Sequence, residues 1–484
     1  MASNKNCFYD DCFIINSEKA SYLDLLGLLF SSKLKQRRFI DAPEQHNHRF
    51  RRRLVVFGMV LLQKLLSLVR IPLALTGIMV VTFLNLLTYN GGLLGLLLNL
   101  MKGKLVWPEK SSEMYRSMLG NVDTRVELDN NIKPGDPKYK PLLSMMASKL
   151  SYENEAFIKT VIIQHWKVFS LKFMIVFFYI SFNPNLAMCL TDFEERSTTQ
   201  AFMMQDTQSK RNLIVVAFRG TQPFSAYDWQ TDVDISWYEL KDMGKGKIHS
   251  GFMKALGMQK TKGWPKEIQQ STHQHQFAYY TLRQKLREVL QENQDARLIV
   301  TGHSLGSALA VLFVAVLMLH EEEWLLEKLE AVYTFGQPRV GDHKFGEFMI
   351  DKLRKFDVKY FRYVYSNDMV ARIPPDDDTF LSKHFGPCFY FNSFYNGKVL
   401  SEEPSKNYFS WLWAIPKRMV AIWELIRAFI LPYMKGPEYK ENWVMITLRI
   451  MGLVTPGMSA HMPQDYVNSI RLGTLPSVHQ LKRD

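Results

Sequence analysis

An α/β fold, with a mostly parallel central sheet between helices and a helical hydrophobic anchor ahead of it, is predicted by three features of this 484-residue chain. Strand-like and helix-like patterns alternate from Thr199 onward. Within that alternation, a β-branched run turns abruptly into a helical pattern at Gly302-His303-Ser304-Leu305-Gly306. Ahead of it, Ile71 to Met101 holds 31 residues without a charge.

The composition allows such a core, since apolar residues make up 47% and charged residues 22% of the chain. A net charge of +13 could suit nucleic acid or an anionic membrane surface, and its distribution favours the membrane. Eight cations (Lys33, Lys35, Arg37, Arg38, Arg49, Arg51, Arg52 and Arg53) stand against Asp41 and Glu44 directly before the apolar region. No zinc-finger spacing or RNA-binding aromatic signature accompanies them, so nucleic acid is not an expected partner. Cys7, Cys12, Cys189 and Cys388 are scattered and no N-x-[ST] sequon occurs, which points to a reducing, cytosol-facing location.

Taken in order, residues 1–53 read as a basic cytosolic segment with a short helix near Tyr22 to Ser31. Residues 54–104 read as a hydrophobic hairpin anchor. In it, Leu54 to Val69 carries Gln63, Ser67 and Arg70 at helical spacing, which predicts an interfacial helix with its polar stripe outward. One span needs about 20 apolar residues and two need about 40, so the uncharged run fits neither. Basic residues on both sides favour cytosolic ends and a turn near Asn90-Gly91-Gly92, suited to a lipid-droplet monolayer or one leaflet of the endoplasmic reticulum. A single tilted transmembrane helix is the competing arrangement.

A polar connector at 105–140 precedes a catalytic domain at 141–475 and a tail at 476–484. Leu142 to Trp166 reads as helix and Val168 to Phe182 as a buried or lipid-resting apolar run. Strands are expected at Thr199 to Met204, Leu213 to Phe218, Arg297 to Thr301, Ala331 to Phe335 and Lys359 to Tyr365. Helices are expected over Phe277 to Asn293, after Leu305, and near Phe345 to Lys355.

G-x-S-x-G between a strand and a helix places a serine on a tight turn with its hydroxyl exposed, which makes Ser304 the candidate nucleophile. A serine needs a base and a carboxylate that orients it. Asp368 is the first acid past the end of the Lys359 to Tyr365 strand. Its rivals Asp376, Asp377 and Asp378 lie beyond two prolines. Of His384, His461 and His479, His461 is preferred because it follows a Pro-Gly turn and precedes a helical pattern. Leu305, directly after the nucleophile, and Thr221, in the loop after Leu213 to Ala217, are the candidate oxyanion donors. No metal or cofactor is expected, since acidic residues do not cluster at a ligand spacing.

Phe218-Arg219-Gly220-Thr221, Asp228-Trp229 with Asp232, His249-Ser250-Gly251-Phe252, Gly302-His303-Ser304-Leu305-Gly306, Tyr333 to Gly341, and Asn367-Asp368 with Arg372-Ile373-Pro374-Pro375 follow one another in the order of the fungal-type (class 3) triacylglycerol lipases, which the chain resembles. The basic-flanked hydrophobic N-terminus is similar to plant oil-body lipases in particular. The resemblance implies an α/β-hydrolase fold and a triad of Ser304, Asp368 and His461, with Thr221 and Leu305 as the oxyanion hole. It also implies a lid region from Gln222 to Lys247 and acylglycerol substrates at a droplet or membrane surface. Phospholipase A1 or galactolipid acylhydrolase activity is the alternative within the enzyme class, and a non-catalytic droplet coat the alternative outside it. An insertion at about 380–455 departs from compact members. Its stretch from Tyr408 to Met434, aromatic with Lys417, Arg418 and Arg427, suits an amphipathic helix that caps the acyl pocket or enters the interface.

Overall fold

The computed structural model describes residues 9–30, 38–41, 50–166, 200–209, 212–240, 244, 246–256, 266–267, 278–376, 382–408 and 410–474. The apolar run Val168 to Phe182, His479, Asp377, Asp378 and the tail lie outside them, as does part of the expected lid region.

Eleven strands are described: β1 (Tyr9–Ile15), β2 (Ile40–Asp41), β3 (Ala201–Asp206), β4 (Leu213–Phe218), β5 (Trp237–Leu240), β6 (Gly246–His249), β7 (Arg297–His303), β8 (Leu329–Phe335), β9 (Lys359–Tyr365), β10 (Cys388–Phe391) and β11 (Gly397–Leu400). Seven form the main sheet in the order β11-β10-β9-β8-β7-β4-β3. Its five central strands run parallel, with antiparallel β3 and β11 at the edges. β4 reads Leu-Ile-Val-Val-Ala-Phe and is buried throughout, because helices cover both faces of the sheet. The helices Leu305–Leu319, Ala278–Glu292 and His343–Lys355 cover one face, and Tyr139–Leu150 with Pro463–Leu472 cover the other.

The α/β alternation appears where periodicity placed it, and β4 and β9 begin and end at the expected residues. Three elements differ. The helix expected over Leu142 to Trp166 stops at Leu150 and resumes at Glu155, after the Ser151-Tyr152-Glu153-Asn154 break. Asn154 caps the second piece, accepting from Phe157 N at 2.8 Å. The insertion contributes β10 and β11 to the sheet as well as a helix. Residues before the apolar region are more than a lead-in: β1 pairs antiparallel with β5 in a second sheet, β2-β1-β5-β6.

The apolar region forms Phe50–Leu68, Arg70–Tyr89 and Gly92–Met101, and the last two meet at the expected turn, where Gly91 (φ 76°) and Gly92 (φ 85°) are left-handed. Arg70–Tyr89 is long and apolar enough to cross a membrane. Of the expected polar stripe, Ser67 and Arg70 are exposed and Gln63 is not. Gln63 is buried against the helix Ala226–Asp232, where Gln230 Nε2 donates to Gln63 O (3.0 Å) and Ser67 Oγ (2.7 Å). Leu54, Leu62, Leu65 and Leu68 are exposed as well. The helix buries Val56, Met59 and Val60 together with Gln63, and the one buried amide is accommodated because a helix of the catalytic domain supplies its partner.

The insertion helix Ala414–Lys435 turns more of its polar side chains inward, burying Lys417, Glu424 and Arg427. Arg427 is buried, donating to Tyr365 Oη (2.6 Å) and Asp465 Oδ1 (2.8 Å), and Lys417 donates to the Tyr408 carbonyl. Ile415, Met419, Phe429 and Tyr433 are exposed, Tyr433 at 93%. Val80 and Leu84 of Arg70–Tyr89 pack on Val444, Met445 and Leu448 of the helix Trp443–Gly452 in the insertion.

Candidate active site

β7 ends at His303 and the helix Leu305–Leu319 begins two residues later, leaving Ser304 alone on the turn at φ 59° and ψ −133°. A non-glycine residue in that region is strained, and the surroundings hold it there. The flanking glycines allow the fold-back. A Cβ on Gly302 would lie 2.1 Å from Gly306 O, and one on Gly306 would lie 2.2 Å from Phe218 O of β4. Leu305 opens the helix, so its N–H has no partner within it.

Asp368 lies three residues past the end of β9 and is fully enclosed. His461 Nδ1–H donates to Asp368 Oδ2 at 2.8 Å, and Tyr466 Oη donates to the same oxygen. Val370 N donates to Oδ1 at 2.8 Å. Burial alone would raise the Asp368 pKa. The His461 imidazole, the Tyr466 hydroxyl and Arg372 outweigh it, so the carboxyl is held below its usual range. With Nδ1 committed as donor, Nε2 of His461 is the acceptor nitrogen, and it is buried without a hydrogen-bond partner. A nitrogen in that state is what a general base requires. Catalytic hydrogen bonds often close only around substrate.

His303 fixes the loop that carries this base. Its Nε2 donates to His461 O at 2.8 Å, its ring stacks on that of His461 at 4.7 Å, and its Nδ1 accepts from Tyr152 Oη at 3.0 Å. Burial, with the adjacent His461, lowers the His303 pKa to about 3, so it stays neutral and keeps this donor–acceptor arrangement. Tyr152 comes from the break in the expected helix, a residue with no signal in the sequence. Tyr466, five residues after His461, was equally invisible.

Thr221 follows β4, and its loop lies against the nucleophile: a Cβ on Gly220 would come within 3.0 Å of Ser304 Cβ and 2.1 Å of Tyr152 Oη. Thr221 Oγ1 donates to Asp232 Oδ2 at 2.6 Å. Asp232 ends the helix Ala226–Asp232, and no local pattern in the sequence pointed to this contact. Burial raises its pKa to about 8, against the Thr221 hydrogen bond and with help from Asp228. The folded protein therefore keeps a proton that the unfolded chain loses near ~3.9, and stability falls as pH rises from there to about 8. Asp232→Asn should flatten that decline in a series of thermal melts between these values. An unchanged slope would exclude Asp232 as its source.

The rival residues lie elsewhere. His384 Nε2 donates to Ala371 O at 2.8 Å beside the buried Arg339–Glu403–Arg362 ion pairs, and Asp376 pairs with Lys406 at 3.2 Å. Among the described residues, no group of three or more His, Cys, Asp or Glu side chains is arranged to hold a metal ion.

Comparison with known proteins adds sequence kinship to this geometry. A family model described as Lipase (class 3) matches residues 215–378. Triacylglycerol lipase OBL1 of Nicotiana tabacum is 40% identical over 492 residues, covering 87% of this chain and 83% of that one. The protein of the same name from Arabidopsis thaliana is 37% identical over 507 residues, covering 95% of this chain and 94% of that one. Among solved structures, the native Rhizomucor miehei lipase propeptide complex is 26% identical with a TM-score of 0.31, covering 40% of this chain and 52% of that chain.

Proposed function

Since this chain belongs to the class 3 lipase family and is a carboxylic ester hydrolase of the acylglycerol lipase type, we propose that Ser304, His461 and Asp368 are its triad, and that it works at a lipid-droplet or membrane surface. The observation that carries the triad is the His461–Asp368 contact at 2.8 Å, which leaves Nε2 unpartnered beside the nucleophile turn.

Ser304 Oγ attacks the acyl carbonyl carbon while His461 Nε2 takes its proton, and Asp368 holds the resulting imidazolium. The N–H groups of Leu305 and Thr221 receive the oxyanion. His461 then returns the proton to the departing glycerol oxygen, leaving an acyl-serine that water cleaves by the same steps. No metal or organic cofactor enters this scheme.

The lipid-surface reading is supported by the outward apolar faces of Arg70–Tyr89, Gly92–Met101, Ala414–Lys435 and Trp443–Gly452. Contiguous exposed apolar area of this kind marks an interaction site. In this reading the endoplasmic reticulum or oil body receives these faces, and the catalytic domain stays on the cytosolic side.

Hydrolysis of emulsified triacylglycerol, diacylglycerol and phosphatidylcholine by the purified full chain tests the substrate class. Triacylglycerol should be turned over at a higher rate than phosphatidylcholine, and the reverse order would replace this reading with a phospholipase A1.

A further inference from the structure

A cavity of about 520 Å³ lies between the anchor helix Arg70–Tyr89 and the catalytic domain, within the size range of small-molecule sites. Ala74, Ile78 and Val81 of the anchor form one side, and Leu119, Pro223 and Phe224 add apolar surface from the domain. Arg219 and Gln222, the residues on either side of Gly220-Thr221, also line it, as does Tyr152. The cavity thus flanks the oxyanion loop without including Thr221 or Ser304 in its lining, touches the tyrosine that braces His303, and carries polar groups at its domain end, Lys110, Glu153 and Gln200 among them.

Its walls are held in register by specific contacts. A Cβ on Gly77 would lie 2.5 Å from Phe224 Cβ, so the helix approaches the loop as closely as a glycine permits. Asn85 clamps the helix to the connector, donating to Arg116 O at 2.9 Å and accepting from Arg116 N at 2.8 Å. The lid-region helix is tied to the anchor through Gln230 to Gln63 and Ser67, and Arg70 donates to Tyr227 Oη. Ile71, Leu75 and Met79 of the same anchor helix are exposed, and Ile78 on the cleft side is itself 47% exposed, so the cleft is open along this helix and its apolar wall continues into the exposed apolar face. Hydrocarbon leaving water gains on either side.

We infer that this cavity is a binding cleft for one fatty-acyl chain of the acylglycerol, with the anchor helix as its wall, bringing the ester to Ser304 from the side of Thr221. The inference rests on the lipase reading above. The anchor lies outside residues 215–378, the stretch that the family model matches, so the cleft is an addition to the shared catalytic domain. It assigns the anchor a second role: the segment that meets lipid also sets which acyl chains fit.

The test compares p-nitrophenyl palmitate with p-nitrophenyl butyrate in one detergent micelle, using the full chain, Ile78→Trp to fill the cleft, and Ile350→Trp as an exposed control on a distant helix. Ile78→Trp should lower the palmitate-to-butyrate ratio of kcat/KM at least tenfold, and Ile350→Trp should leave it unchanged. An unchanged ratio in a folded Ile78→Trp protein overturns the cleft. Should that variant fail to fold, photolysis of a diazirine-bearing palmitate bound to the unmodified chain decides: adducts should map to residues 74–81 and 222–224, and adducts only elsewhere overturn it. Ser304→Ala keeps the two readings apart, because butyrate hydrolysis surviving in that variant sinks the lipase mechanism whatever the cleft result.

Discussion

Replacing Ser304 by alanine should lower kcat on emulsified triacylglycerol by about 10⁶-fold, and replacing Asp368 by asparagine by about 10⁴-fold, with both proteins still folded. Alanine deletes the attacking oxygen, and nothing else on the nucleophile turn can form an acyl-enzyme. Asparagine is subtler. Its amide would donate to His461 Nδ1, forcing the proton onto Nε2, where an acceptor is needed. The ring would keep its position through stacking on His303 at 4.7 Å and the carbonyl hydrogen bond at 2.8 Å, so the loss reports the tautomer and not displacement. Titration of active sites with a fluorophosphonate ester checks both: Ser304→Ala should not be labelled, and Asp368→Asn should be labelled slowly. Labelling of Ser304→Ala at the parent rate would remove Ser304 from the mechanism.

The second large effect concerns the surface. Ile415→Glu, Met419→Glu and Phe429→Glu change side chains that are exposed on the insertion helix, so thermal stability should be nearly unchanged. Each apolar side chain moved from water into lipid is worth about 1.5–3 kcal/mol, and ~1.4 kcal/mol is a factor of ten in partitioning. The triple variant should therefore lose roughly three orders of magnitude in binding to triacylglycerol droplets, measured by flotation. Flotation equal to that of the parent would confine lipid contact to the anchor helices. Hydrolysis of a soluble short-chain ester should fall far less than hydrolysis of emulsified oil, since the triad is untouched.

How far the site was legible differs from residue to residue. Ser304 and Leu305 were readable because strand, turn and helix are contiguous, and the glycine pair that permits them lies within five residues. Asp368 was readable because an acid just past a strand end lands at the carboxyl edge of a parallel sheet. His461 had rivals in sequence and was preferred for the Pro-Gly turn before it and the helical pattern after it; the packing places His384 elsewhere, buried beside Arg362 and Glu403. Tyr152, Tyr466 and the second role of His303 were unreadable: each depends on contacts between segments that no local pattern joins. β10 and β11 were missed because an insertion rich in aromatic residues reads equally well as helix or strand.

The sequence by itself determined the α/β alternation, the nucleophile turn, the hairpin turn at Asn90-Gly91-Gly92 and the presence of amphipathic helices, since periodicity and turn chemistry act over a few residues. Only the tertiary structure decided which way those helices face. Gln63 found Gln230, and Arg427 found Asp465, so these two polar side chains turned inward, while Ser67 and Arg70 of the first helix's stripe stayed exposed. A helical pattern records two faces, but the cost of burying a polar group vanishes only where another element supplies its partner. That partner was 167 residues away for Gln63 and 38 for Arg427, beyond the reach of any periodicity.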